Sequence, residues 1–156
     1  MARFLKAAPA LAFFIILSLP LASFAAPDAC KQAEANKKLV LDFYSMLFDR
    51  HLIKEAFDRY VSHDYIQHNP NIPNGVEPDI AFLTKRLRNN PEATNRVKRA
   101  AADGDLVFLH VHSRLNPADR GRAIVDIFRI KDGKIVEHWD VIQAVPEQSV
   151  SGNSMF

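Results

Sequence analysis

Asp126, His138 and Asp140 are the residues of this chain whose types and spacing could do chemistry together. They flank a turn in the segment Val125-Asp126-Ile127-Phe128-Arg129-Ile130-Lys131-Asp132-Gly133-Lys134-Ile135-Val136-Glu137-His138-Trp139-Asp140. That segment reads as two β-strands joined at Asp132-Gly133, a dipeptide that favours a tight hairpin turn. Two carboxyls and an imidazole around an apolar pocket differ in proton affinity, because burial and like charge disfavour ionisation while an imidazolium favours it. One acid, Asp140, can then act as a base on a carbon next to a carbonyl. His138, or Asp126 in its protonated form, can donate a hydrogen bond to the enolate oxygen. Such proton abstraction needs neither a metal nor an organic cofactor. A competing reading pairs Asp126 or Asp140 with Arg122 or Arg129 as ion pairs on the sheet surface.

The turn decides which side chains share a face. A strict two-residue loop pairs Ile130 with Ile135 and splits the acids between faces. A type I turn with a bulge after left-handed Gly133 pairs Ile130 with Lys134. It sets Asp126 opposite His138, with Asp140 diagonal on the same face at roughly 7–8 Å. The bulged turn is the expected register.

Other polar residues could serve the same pocket. His68, with Tyr65, Gln67 and Asn69, forms a polar-aromatic cluster entering an Asn-Pro loop, where it could supply donors at the pocket mouth. The same residues are also ordinary turn and core residues. His110 and His112 share one face of a strand, which places His112 among candidate substrate contacts. No Glu or Cys completes a recognised metal spacing around them, so no metal is expected. His51 and His63 fall at helix ends as caps or surface residues. Trp139 alternates with His138 and Asp140 and should face the opposite side, in the core or at a dimer interface.

Helices come first in the elements that must position these residues. Leu39, Phe43, Met46 and Leu47 fall on one face of a helix over about residues 31–49. Ile53, Phe57, Tyr60 and Val61 repeat the spacing in a shorter one. Tyr65 to His68 could form a short strand before the loop of residues 69–75. A third helix starts near Glu77-Pro78, turns Ile80, Leu83 and Leu87 inward, and stops at Asn89-Asn90-Pro91. Strands then follow at Thr94–Ala102, Leu106–His112, Arg122–Ile130 and Lys134–Gln143. Three helices followed by an antiparallel sheet make an α+β domain. A sheet curved over helices leaves a pocket between them.

Residues 1–25 have the composition of a signal peptide: Arg3 and Lys6, an apolar run from Ala7 to Phe24, and small residues at Ser23 and Ala25. Cleavage near Ala25 would leave one domain over residues 26–156, with a short tail at about 146–156, in the periplasm or outside the cell. No membrane anchor would remain. The leader carries two of the 20 basic residues and none of the 18 acidic ones, so the rest of the chain is close to neutral. Without a basic face, nucleic acid is not an expected partner. Cys30 is the only cysteine, and no internal disulfide can form.

The hairpin residues also carry a resemblance. The chain resembles the SnoaL-like polyketide cyclases of the nuclear-transport-factor-2-like superfamily. It does so through Val125, Arg129, Ile130, Asp132-Gly133-Lys134-Ile135, His138 and Asp140, and through His63-Asp64-Tyr65 with Gly75 before a helix. The resemblance implies a cone-shaped domain with three helices on a curved antiparallel sheet, a homodimer through the convex face, and aldol-condensation chemistry. By position it makes Asp140 the base, while Asp126 replaces the histidine that sits near the substrate carbonyl in those cyclases. The expected substrate is a small hydrophobic carbonyl compound. The rival expectation is a non-catalytic dimeric binding domain for an apolar ligand or a protein partner.

Overall fold

A computed structural model describes residues 27–156; the expected signal peptide lies outside the described residues. Helix α1 runs Pro27–Phe48, α2 runs Ile53–Tyr60, and strand β1 spans Val61–Gln67. Helix α3 is Val76–Asn89, followed by β2 (Thr94–Asp103), β3 (Leu106–Arg114), β4 (Arg122–Lys131) and β5 (Lys134–Ala144). The fold is α+β, as expected, with three helices against one five-stranded sheet of order β1-β5-β4-β3-β2. Among the described residues no helix is long and apolar enough to cross a membrane.

The helix periodicity does its work through burial. Val40, Phe43, Tyr44 and Leu47 recur at i, i+3, i+4 and i+7 on α1 and are all buried. They meet Val107, Leu109 and Val111 of β3, each fully buried on the sheet's inner face. Phe43 packs edge-on against both Phe57 of α2 and Phe128 of β4, tying helices to sheet. Val61, placed by spacing on the second helix, instead starts β1. That strand runs parallel to β5, with Val61 beside Ile135 and Gln67 beside His138. Placing Gln67 beside His138 across this long-range pairing is what delivers β1 to the site.

The hairpin register differs from the expected one. Asp132 and Gly133 both lie in the left-handed region, at φ 51° and 73°. This makes a two-residue turn with Lys131 opposite Lys134 and Ile130 opposite Ile135. The bulge sits one step further on, because the register shifts between Ile130 and Arg129, leaving Val136 as the extra residue. Beyond it Phe128 faces His138 and Asp126 faces Asp140 directly. The bulge has a packing reason: it lets Ile135 and His138, three residues apart, both point inward, where they are 0% and 9% exposed.

Candidate active site

A hollow of about 150 Å³ lies between the inner sheet face and helices α1 and α3. Its walls are largely apolar, with Phe43, Leu47, Phe82, Leu83 and Ile142 among them. A band of polar groups crosses it. Asp126, His138 and Asp140 all line this one hollow, and their ligand-capable atoms lie within 4.8 Å of one another. The face parity anticipated from sequence holds, while the pairing is exchanged: Asp140, not His138, stands across from Asp126.

The hydrogen bonds assign protons. Gln67 Oε1 accepts from the backbone N–H of Asn69 at 2.9 Å, a donor that fixes which end of the amide is oxygen. The same oxygen lies 3.0 Å from His138 Nδ1, which must therefore carry hydrogen. His138 Nε2 then faces Asp126 Oδ1 at 3.1 Å, so one proton is shared between them. Burial alone would lower the His138 pKa. The hydrogen bond and charge of Asp126, with the charges of Asp140 and Asp79, outweigh it and leave the imidazole above the ordinary histidine value of 6.5. The imidazole therefore holds its second proton more tightly than a free histidine does.

Tyr44 completes the Asp126 environment by donating its hydroxyl to Oδ2 at 2.9 Å. Burial, then the neighbouring Asp126, pushes that phenol well above its usual range, so it remains a donor. On the other side Asp140 Oδ2 accepts from Asn69 Nδ2 at 2.6 Å. Asp140 is only half-buried, and no second hydrogen bond occupies its Oδ1 among the described residues. Among the described residues neither aspartate forms an ion pair with an arginine. Arg129 binds Asp105 and Glu137 instead, at 2.7 and 2.9 Å.

Behind His138 lies a second buried layer. Gln67 Nε2 donates to Asp79 Oδ2 at 2.7 Å, and Tyr65 donates its hydroxyl to the same oxygen at 3.0 Å. Burial raises the Asp79 pKa, and the Tyr65 and Gln67 hydrogen bonds and the His138 charge partly offset it. Tyr44 and Asp79 were not anticipated from sequence. The signal for Asp79 was present: an acid four residues before Leu83, on the apolar face of a helix.

Of the four residues expected to contact substrate, Tyr65 and Asn69 line the hollow. His68 and His112 do not. His68 follows inward-facing Gln67 and turns outward, stacking on Trp139 at 4.5 Å and meeting Glu137 at 3.1 Å. His112 alternates with buried Val111 and Ser113, so it stands on the outer face. There it donates to the Arg120 carbonyl at 2.9 Å and stacks on Phe156 at 4.1 Å. A metal site built from His110 and His112 with Asp126 would need groups on both sides of one sheet. Asp126, His138 and Asp140 could themselves supply ligand atoms. With His138 Nδ1 committed to Gln67, a metal there would have to displace the Nε2–Asp126 hydrogen bond. Trp139 faces outward, as alternation required, beneath the Arg129 guanidinium.

The sequence profile described as a SnoaL-like domain matches residues 40–138. No curated protein matches the chain. Among solved structures, the chain is similar to a proposed ketosteroid isomerase from Kribbella flavida, with 18% identity, a TM-score of 0.61, and 76% of this chain and 84% of that one covered. It is also similar to a SnoaL-like protein from Burkholderia thailandensis (16% identity, TM-score 0.60, 71% and 97% covered). A third, a proposed polyketide cyclase from Acidithiobacillus ferrooxidans, has 17% identity and a TM-score of 0.58 over 69% and 87% of the two chains. At these identities the likeness speaks for the fold.

Proposed function

Since the chain belongs to the SnoaL-like domain family, within the nuclear-transport-factor-2-like fold, we propose that it is a cofactor-independent enzyme acting on a small hydrophobic carbonyl compound. Asp140 is the base. The observation that carries this reading is the convergence of Asp126, His138 and Asp140 in one apolar-walled hollow.

Asn69 holds one oxygen of Asp140 and leaves the other for a substrate C–H. When that C–H bond breaks, the proton passes to Asp140 and its electron pair moves onto the carbonyl oxygen as an enolate. The His138 imidazolium is fixed by Gln67 and Asp126 before substrate arrives. Its positive charge stabilises the enolate without reorganisation. The intermediate then attacks a second carbonyl in an aldol condensation, or regains a proton at another carbon in an isomerisation. Action outside the cytoplasm and dimerisation through the outer sheet face belong to the same proposal. The signal-peptide composition of residues 1–25 supports the first, and the exposed Val125 and Val141 on that face support the second.

The test is proton exchange. Cyclic ketones and β-keto esters incubated in D2O should gain deuterium at the α-carbon faster with the protein than without it. Asp140→Asn should slow that gain by about 10²–10⁴-fold, the usual contribution of a positioned base. Ligand binding with no exchange in the wild type would favour the non-catalytic binding domain.

A further inference from the structure

Helix α3 presents two opposite poles to the hollow. Asp79, Phe82, Leu83 and Arg86 recur at i, i+3, i+4 and i+7 and all line it. The two ends of that stripe therefore stand about 10 Å apart along the helix axis. The Asp79 end belongs to the acid–histidine cluster. The Arg86 end is built differently, because among the described residues its guanidinium has only neutral partners. Nη2 donates to Ser113 Oγ at 2.8 Å and to Asn95 Oδ1 at 3.3 Å. Nη1 is sealed from solvent and has no hydrogen-bond partner among the described residues. A buried cationic donor without an acceptor carries a cost that proteins normally avoid.

A second cation stands beside it. Arg122 pairs across the sheet with Ser113, the residue that holds Arg86, and lines the same hollow from its rim. Arg122 makes no salt bridge within 4 Å among the described residues. Asp119, an acid of the lining three residues before Arg122, has its two oxygens on the backbone N–H groups of Leu115 and Gly121. Two arginines thus flank Ser113 at one end of an apolar hollow, neither with a carboxylate partner.

Resting on the carbonyl-substrate reading, we propose that this pole is a carboxylate subsite and that the substrate is a hydrophobic keto acid. Its carboxylate is received by Arg86 and Arg122. Its reactive carbonyl lies toward Asp140, in the same hollow. An anion entering there gives the guanidinium a charged acceptor, which neither Ser113 nor Asn95 is. It also replaces the lost hydration of a cation whose pKa burial has lowered.

Octanoate and octanamide are suitable probes, since both carry the same apolar chain and the pair differs in charge at one end. Calorimetric titration at pH 7 should show octanoate binding at least about tenfold more tightly, as for a charge-assisted over a neutral contact. The preference should shrink in high salt, vanish in Arg86→Gln with Arg122→Gln, and survive in Asp140→Asn. Equal affinity for the two probes in the wild type would overturn the proposal even if the arginine variant failed to fold. So would a preference that persists in the arginine variant, which would place the carboxylate on His138. Because binding is the readout, this outcome is independent of α-proton exchange. The base assignment can fail while the subsite stands, and the reverse.

Discussion

The two faces of the sheet carry similar residues and treat them in opposite ways. His138 and Asp140 on β5 are an i, i+2 pair of titratable residues, and so are His110 and His112 on β3. The β5 pair faces helices: His138 is 9% exposed and both its nitrogens are committed to buried side chains. The β3 pair faces outward. His110 accepts from Arg99 at 3.0 Å, His112 donates to a loop carbonyl, and the Phe156 ring covers both. Residue type and spacing do not separate these pairs. What separates them is the parity of each strand, which for β5 is reset by a single bulged residue, Val136. Without that extra residue His138 and Asp140 would share a face with Arg129 and Ile127 rather than with Asp126.

The comparison can be broken by making matched changes on the two faces. Asp126→Ala should cost the most, about 3–5 kcal/mol, because it removes the buried partner of both the His138 imidazole and the Tyr44 hydroxyl. His112→Ala on the outer face should cost less than about 1 kcal/mol. Urea unfolding of both variants decides it, and equal losses would erase the distinction between the faces. Gln67→Leu should lie between them, at about 1–3 kcal/mol, since it leaves His138 Nδ1 and the Asn69 N–H without an acceptor. That variant should also lower the His138 pKa, visible in an imidazole titration. A purely structural Gln67 would leave the titration unmoved.

The smallest effect is a pH slope. His138 binds its proton more tightly folded than unfolded, so its contribution to stability is complete below 6.5. It is lost as pH rises from 6.5 through the higher folded value. Unfolding free energy should therefore fall over that window in the wild type, and the slope should flatten in His138→Gln. A wild-type stability that rises across the same window would contradict the raised value.

Much of the fold was legible because its signals are local. The α1 stripe, the proline-bounded α3 and the Asp132-Gly133 turn each announce themselves within a few residues. The inward parity of Asp126, His138 and Asp140 was legible too, though by way of a bulge assigned to the turn rather than to Val136. What escaped is non-local. That β1 lies parallel beside β5, carrying Gln67 to His138, depends on a pairing across some seventy residues. Tyr44 and Arg86 are ordinary helix residues until the sheet closes over them. His68 and His112 were misplaced for one shared reason: a histidine on a strand reports its chemistry but not its face.

The shared proton on His138 is the point on which the site most depends, and nitrogen-15 NMR of the imidazole reads it directly. Across pH 5–9, Nδ1 should stay protonated and Nε2 should lose its proton only above 6.5. A His138 found as the Nε2–H tautomer, or titrating at or below 6.5, would contradict the arrangement of Gln67, His138 and Asp126 described above.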